Sequence, residues 1–201
     1  PDLSLPAAYN QAVKLATRGY VTFALPGDIF PTGSLAKACA FFKTQTRFVS
    51  FISLNTSCLF RDTKKYELIF RKNAPALIEL NKQPDLVPIV FSGVILKKAC
   101  FYSNSFNESL EYDFGLDLIY RLLKSYPKFG LAKTAAFRTI NSLESTEVGS
   151  TFALKKEWYW QTTKDFLTPL FESHIYSKGA LPKYLQYAAI YQLKWQFQHN
   201  I

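Results

Sequence analysis

Three aspartates and a lysine pair lie at the ends of predicted elements, where side chains can do chemistry. Asp28 follows a buried strand, Asp113 and Asp117 lie at the start of a helix, and Lys97-Lys98 follow an apolar run. Carboxylates can accept a proton from a substrate or bind a hard divalent cation, and lysines can contact phosphate. The structural alternatives are a turn for Asp28, a helix cap for Asp113 or Asp117, and a solvent-facing pair for the lysines.

Several other kinds of site are not expected. Cys39, Cys58 and Cys100 are far apart and form no CxxC pair or Cys/His cluster, which argues against zinc and favours reduced, packed thiols. The sequence contains no Walker-type loop and no GxGxxG, GxSxG or HExxH motif. His174 and His199 are isolated on the helical tail, as is typical of structural histidines.

Composition indicates a globular chain with an affinity for anions. The chain has 201 residues, is 48% hydrophobic and carries a formal charge of +9 that is spread over both halves. A spread excess favours nucleotides, phosphate polymers and lipid head groups without choosing among them. A clustered basic stripe and an RNP-like motif are both missing, so nucleic acid is not expected as a partner.

The elements around the aspartates follow from hydrophobic periodicity. An apolar face from Leu116 to Leu123 predicts a helix, which Tyr126-Pro127 should end. Two apolar runs, Phe129–Ala132 and Ala135–Ile140, are then strand-like.

The first half of the chain alternates helices and strands. Ser4 can cap a first helix that has Pro6 in its first turn and ends near Gly19. Thr32 or Ser34 can cap a second helix. Three strands are predicted, at Tyr20–Leu25, Arg47–Leu54 and Ile89–Leu96.

The run from Ala8 to Asp28 resembles family 2 glycosyltransferases. In that family an Ala/Asn/Gly/Tyr pattern leads into a strand that ends in Asp-x-Asp-Asp. The pattern is matched here at these positions: Ala8, Asn10, Ala16, Gly19 and Tyr20. The acidic cluster is matched only in part, because Leu25-Pro26-Gly27-Asp28 keeps its last aspartate alone.

A second run carries the same resemblance. The family's Phe-Asp-Glu-x-Leu turn is matched by Phe106, Glu108 and Leu110, and its Arg-Leu-Leu helix by Arg121-Leu122-Leu123. Between them the family has a Glu-Asp pair, whose aspartate is the catalytic base. By spacing this pair falls on Phe114-Gly115, so the carboxylate is missing here.

The resemblance implies a partial α/β fold of the GT-A, Rossmann-like type over residues 1–145. The nucleotide-binding half of that fold is expected before Pro1. Residues 146–201 are expected to form a helical extension. Its Trp158-Tyr159 pair and the later Pro182-Lys183-Tyr184 run resemble the region after the transferase domain in bacterial enzymes of teichoic-acid and capsule synthesis.

The resemblance also implies a chemistry. A sugar would pass with inversion from a nucleotide-sugar to an acceptor hydroxyl on an anionic cell-wall or capsular polymer. Asp113 or Asp117 would stand in for the missing base, and Asp28 would bind the divalent metal, Mn or Mg. Lys97, Lys98 and Arg138 would contact acceptor or phosphate. The alternative is a catalytically degenerate copy that keeps the scaffold for binding or complex assembly.

The last predicted helix, residues 183–198, is apolar nearly all round and should be covered on several sides. Docking against the core is the favoured interpretation. A second subunit and the cytosolic membrane surface are the alternatives. The expected location is the cytoplasm, and the membrane alternative would make the protein peripheral at the inner membrane face.

Overall fold

The computed structural model of the chain describes residues 3–45, 49–58, 74–139 and 155–199. The boundary predicted at 145/146 lies outside these ranges. The longer helices are α1 (Leu5–Leu15), α2 (Ser34–Gln45), α3 (Phe114–Ser125), α4 (Lys156–Trp160), α5 (Thr168–Lys178) and α6 (Lys183–His199). The strands are β1 (Tyr20–Thr22), β2 (Phe51–Cys58), β3 (Leu77–Glu79), β4 (Val94–Lys97) and β5 (Lys128–Thr139). Short 3-10 turns occupy Pro84–Leu86 and Lys98–Tyr102.

The five strands form one mixed sheet in the order β1-β4-β2-β5-β3. β2 and β5 pair in parallel at its centre, and the other neighbours are antiparallel. The two strand-like runs predicted after Pro127 form the single strand β5. Its register against β2 shifts between the runs, since Leu54 pairs with Ala132 but Asn55 pairs with Ala136. The irregularity is a bulge where the extra residues of β5 have no partner on β2.

The strand predicted over Ile89–Leu96 is shorter in the structure and begins at Val94. Gly93 just before it has a φ of +73°, which is outside strand geometry and favours glycine. A Cβ at Gly93 would lie 2.3 Å from Thr56 Oγ1, so the backbone here also approaches β2 too closely for any side chain.

The helical extension contains one irregular stretch. Residues Gln161–Leu167 form a π-helical turn between α4 and α5. The Thr168 amide donates to the Thr163 carbonyl five residues back, and the Thr168 hydroxyl donates to the same oxygen. Pro169 lies two residues after the end of this turn. Because proline lacks an N–H and crowds the preceding turn, a wider turn before it relieves both problems.

The extension belongs to the main hydrophobic core. One face of the sheet is covered by α3 and by buried side chains of the last helices, which are Phe166, Leu167, Leu170, Tyr184, Leu185, Ala188 and Ala189. His174 joins α5 to α6: its Nδ1 donates to the Leu170 carbonyl, and Nε2 accepts from the Tyr184 hydroxyl at 3.4 Å. A smaller cluster under α2 covers the other face of the sheet.

None of the helices in the described part of the chain combines the length and hydropathy that a bilayer crossing needs.

Candidate functional site

The N-terminus of α3 faces a cluster of aromatic rings. Phe106 is buried at its centre. Its ring centroid lies 5.1 to 5.7 Å from five others, and most of these contacts are edge-on, as aromatic rings prefer. The five neighbouring rings are those of Tyr9, Phe23, Phe91, Phe101 and Phe114. We call these six residues the aromatic cluster.

Gly115, where motif spacing predicts the family's base, has no room for a side chain. A Cβ built there would lie 2.3 Å from Cγ of Phe91 and 2.6 to 2.7 Å from two further carbons of that residue. Real Cβ atoms do not approach so closely, and the neighbours are a ring inside a packed cluster. The carboxylate that the resemblance expects is therefore missing, and the space it would need is filled by Phe91.

Two motifs that are far apart in the sequence meet beside this cluster. Asn10 on α1 donates from Nδ2 to the Phe106 carbonyl at 3.0 Å and to Glu108 Oε1 at 2.8 Å. In return the Phe106 amide donates to Asn10 Oδ1 at 2.8 Å. The Asn10 side chain thus ties the turn at Phe106–Glu108 to the first helix.

Asp28 closes its own turn. Its Oδ2 accepts from the Leu25 amide at 2.8 Å, and its own amide donates to the Leu25 carbonyl at 3.0 Å. The other oxygen, Oδ1, is buried and has no hydrogen-bond partner among the described residues. Burial, and next the negative charge of Asp28, raises the pKa of Tyr9, so this carboxylate lies near the aromatic cluster.

These residues do not fit a metal site held by the protein itself. A hard divalent cation takes six or more oxygen ligands and usually more than one carboxylate. Asp28 offers one unpartnered oxygen, and the described ranges contain no group of three or more His, Cys, Asp or Glu placed to hold an ion.

Asp117 is held by an arginine. Arg121 donates to Asp117 Oδ2 from Nε at 2.9 Å and from Nη2 at 2.7 Å, and Nη2 also reaches the Ser105 carbonyl at 2.7 Å. The carboxylate is largely buried and its charge is balanced. To accept a proton from a substrate, the Asp117 carboxylate would have to break its ion pair with Arg121.

Asp113 faces the helical extension. It occupies the residue before α3 with a φ of 57°, and its side chain makes no capping hydrogen bond. Instead Oδ2 accepts from the Thr162 hydroxyl at 2.9 Å. Burial raises the pKa of Asp113 to about 6, and the Thr162 hydrogen bond offsets part of that rise. Asp113 therefore contacts Thr162 of the extension, whereas a Cβ at Gly115 would point at Phe91.

The π-helical turn fastens the loop that leads to Asp113, a contact that no local sequence signal indicates. Gln161 Oε1 accepts from the amides of Glu111 at 2.7 Å and Tyr112 at 3.2 Å, and Nε2 donates to the Ser109 carbonyl at 3.3 Å. We call Gln161 and Thr162 the polar clasp. It holds residues 109–113 from the C-terminal side.

The basic residues of the predicted site are scattered. The Lys98 ammonium donates to the Ala16 carbonyl, and Lys97 lies in β4 paired with Tyr20. Arg138 is exposed on β5, and its backbone pairs with Ile29, next to Asp28. Of the predicted site residues, the fold therefore brings Arg138 and Asp28 together, while Asp113 lies with the extension.

Replacing Asp113 with asparagine is expected to stabilise the domain at neutral pH by about 3 kcal/mol. The folded pKa is raised from 3.8 to about 6, so protonated Asp113 stabilises the fold below about pH 4, and this contribution is lost as the pH rises through about 6. Asparagine keeps an acceptor for Thr162, tolerates a positive φ and carries no charge.

Urea unfolding at several pH values measures this effect. Wild type should lose stability between about pH 4 and pH 6, and Asp113→Asn should lack that loss. Asp117→Asn is the matched control and should destabilise the domain, because it leaves the Arg121 charge without its partner. An Asp113→Asn variant that is less stable than wild type at pH 7 would contradict the assigned burial.

Comparison with known proteins agrees with this architecture. No protein-family model matches the chain. The chain is 20% identical over 190 residues to the minor teichoic acid biosynthesis protein GgaB of Bacillus subtilis. The aligned region is 94% of this chain and 21% of GgaB. The solved structure of S. aureus TarS 1-349 in complex with UDP matches with a TM-score of 0.50 at 16% identity, over 95% of this chain and 59% of that one.

A second structure of TarS 1-349 matches with a TM-score of 0.54 at 15% identity, over 94% of this chain and 66% of that one. The chain thus spans about a fifth of GgaB and less than two thirds of either TarS 1-349 structure. These likenesses confirm the predicted partial α/β fold of the GT-A glycosyltransferase type. They also confirm the resemblance to teichoic-acid proteins.

Proposed function

We propose that this chain is a GT-A glycosyltransferase module that works in the synthesis of a cell-wall polymer of the teichoic-acid class. Support comes from the shared fold, from the similarity to GgaB over nearly the whole chain, and from the motifs around Asn10 and Phe106 that meet in the structure. The partners of this proposal are a nucleotide-sugar donor and an anionic polymer or glycan acceptor. Its place is the cytosolic side of the membrane, where a protein of charge +9 would be attracted to anionic lipid.

The module's own role is binding or assembly rather than catalysis. One observation carries this conclusion: the Phe91 ring fills the space beside Gly115 where the family's base would lie. The other carboxylates do not replace it. Asp117 is paired with Arg121, Asp113 is buried against Thr162, and Asp28 closes a turn.

The same contacts suit a rigid binding scaffold. Asn10 fixes one side of the loop from Phe106 to Asp113, and the polar clasp fixes the other. Residues held in one geometry lose little entropy when a ligand binds, so a preorganised loop favours affinity.

Sugar transfer with inversion is the second candidate, and one observation favours it. General bases work best when their pKa lies near the working pH, and burial raises the pKa of Asp113 to about 6. For Asp113 to take a proton from an acceptor hydroxyl, the acceptor would have to enter between α3 and the polar clasp.

Calorimetric titration with uridine diphosphate, with and without manganese, tests whether this chain binds a nucleotide through a metal. We expect weak or absent metal-dependent binding, because Asp28 alone offers too few ligands. Asp28→Asn is the control and should leave the weak signal unchanged. Tight manganese-dependent binding that Asp28→Asn abolishes would overturn this expectation.

A transfer assay with a nucleotide-sugar and polymer completes the test. The non-catalytic role predicts no turnover in wild type. Measurable turnover that falls about a hundredfold or more in Asp113→Asn or Asp117→Asn would establish the second candidate instead and would identify its base.

A further inference from the structure

A hollow lies on the helical extension, apart from the aromatic cluster. Its volume is about 540 Å³, and it is lined by Lys156, Glu157, Tyr159, Trp160 and Thr163. Trp160 is 64% exposed, whereas Trp158, two residues earlier, is buried against Tyr112. An exposed tryptophan beside a hollow is a large apolar surface left in water, which costs free energy unless something covers it.

The lining is built on fixed elements. The Tyr159 carbonyl accepts from the Thr163 hydroxyl at 3.0 Å and from Gln196 Nε2 on α6 at 3.4 Å. Lys164, which does not line the hollow, places its ammonium 5.0 Å from the centroid of the Trp160 ring. This cation–π contact favours one position of the ring. These contacts hold the Tyr159 backbone and favour one placement of the Trp160 ring.

The set of side chains selects a class of ligand. A sugar ring has an apolar C–H face and a rim of hydroxyls. Trp160 offers a flat apolar surface, and the Glu157 carboxylate and the Thr163 oxygen can accept hydrogen bonds from hydroxyls. Lys156 adds a cation at the edge of the hollow, which suits a phosphate linked to the sugar. The charged residues along this stretch are Lys155, Lys156 and Lys164 against Glu157 and Asp165, an excess of one positive charge.

We propose that this hollow binds one sugar of an anionic sugar-phosphate polymer, with the ring on Trp160 and a neighbouring phosphate near Lys156. The site holds the polymer and takes no part in chemistry. The inference rests on the proposed function for the class of polymer, and on the hollow for the place of contact. It gives the helical extension a role besides closing the core.

Titration of the full chain with three probes tests the proposal. Calorimetry and tryptophan fluorescence measure the binding. The probes are a sugar-substituted poly(glycerol phosphate), the unsubstituted polymer and a neutral dextran oligosaccharide. We expect the substituted polymer to bind most tightly, and Trp160→Ala to weaken it about tenfold, the scale of one aromatic contact. Trp160→Phe should retain most of the affinity, and Lys156→Gln should weaken both phosphate polymers but not dextran.

Tyr176→Ala is the matched control, because Tyr176 is an aromatic residue on α5 that is 96% exposed and lies outside the hollow. The affinity of Tyr176→Ala for the substituted polymer should equal that of wild type. The melting temperatures of all variants should also equal that of wild type. The proposal that the hollow binds the polymer is wrong if Trp160→Ala binds the substituted polymer as tightly as wild type does. It is also wrong if wild type binds the unsubstituted polymer as tightly as the substituted one. In either case the proposed function stands. If no polymer binds wild type, both are wrong.

Discussion

Gly115→Asp is expected to destabilise the domain by about 3 kcal/mol, although it restores the residue type that the family uses as its base. The new Cβ would lie 2.3 Å from Phe91 Cγ, so either the ring or the start of α3 must move. The carboxylate would also be placed among the rings of the aromatic cluster, where a charge is poorly solvated. Urea unfolding of the variant against wild type measures the loss.

A double-mutant cycle shows whether Phe91 is the cause. Phe91→Ala alone should destabilise the domain by leaving a cavity, but it also opens the space beside Gly115. The double variant should therefore be more stable than the sum of the two single losses predicts, by about 1 kcal/mol or more. Gly115→Ala separates the steric part from the charge. A Gly115→Asp variant as stable as wild type would show that the ring does not occupy this space.

Loss of the α6 contacts is expected to be at least as damaging. Leu185 on α6 is fully buried in the main core. Leu185→Ala should cost about 2–5 kcal/mol, the range for a buried leucine that leaves a cavity. Deleting residues 180–201 removes Tyr184, Leu185, Ala188 and Ala189 from the same core and should lower the melting temperature further. Chemical denaturation and calorimetry measure both.

Ile190→Ala is the control on the same helix, because Ile190 is 66% exposed and its loss should change stability by about 0.5 kcal/mol or less. Tyr187, Ile190 and Phe197 lie on this exposed side. The membrane alternative would have these residues at a lipid surface, assisted by Lys183 and Lys194 at about 1 kcal/mol each. A deletion that left the melting temperature unchanged but abolished liposome binding would favour that alternative over docking against the core.

Local patterns determined most of the elements. The cap at Ser4, with Pro6 in the first turn, places the start of α1, and the Ala7 amide does donate to Ser4 Oγ. The apolar face before Tyr126-Pro127 places α3, and Gly179, with a φ of 73°, ends α5. These features depend on neighbouring residues, so the sequence is sufficient to find them. The order of the motifs likewise predicts the GT-A type of fold, which the comparisons confirm.

Strand limits required the three-dimensional structure. Tyr20–Leu25 and Ile89–Leu96 are both apolar, but strand pairing covers only Tyr20–Thr22 and Val94–Lys97. A strand ends where its partner ends, and the partners here are about 75 residues apart in sequence. Gly93 adds a close approach to Thr56 that composition does not reveal. Pairing across the chain, rather than propensity, set these boundaries.

Some features of the candidate site were likewise determined by sequence and others only by the tertiary structure. Sequence alone showed that Gly115 lacks the expected carboxylate and left Asp113 and Asp117 as equal substitutes. Tertiary contacts distinguished them: Arg121 pairs with Asp117, while Asp113 is buried and accepts a hydrogen bond from Thr162. The direction of a side chain and the pKa of its carboxyl depend on groups that are distant in the chain and near in space, and only the packed structure brings those groups together.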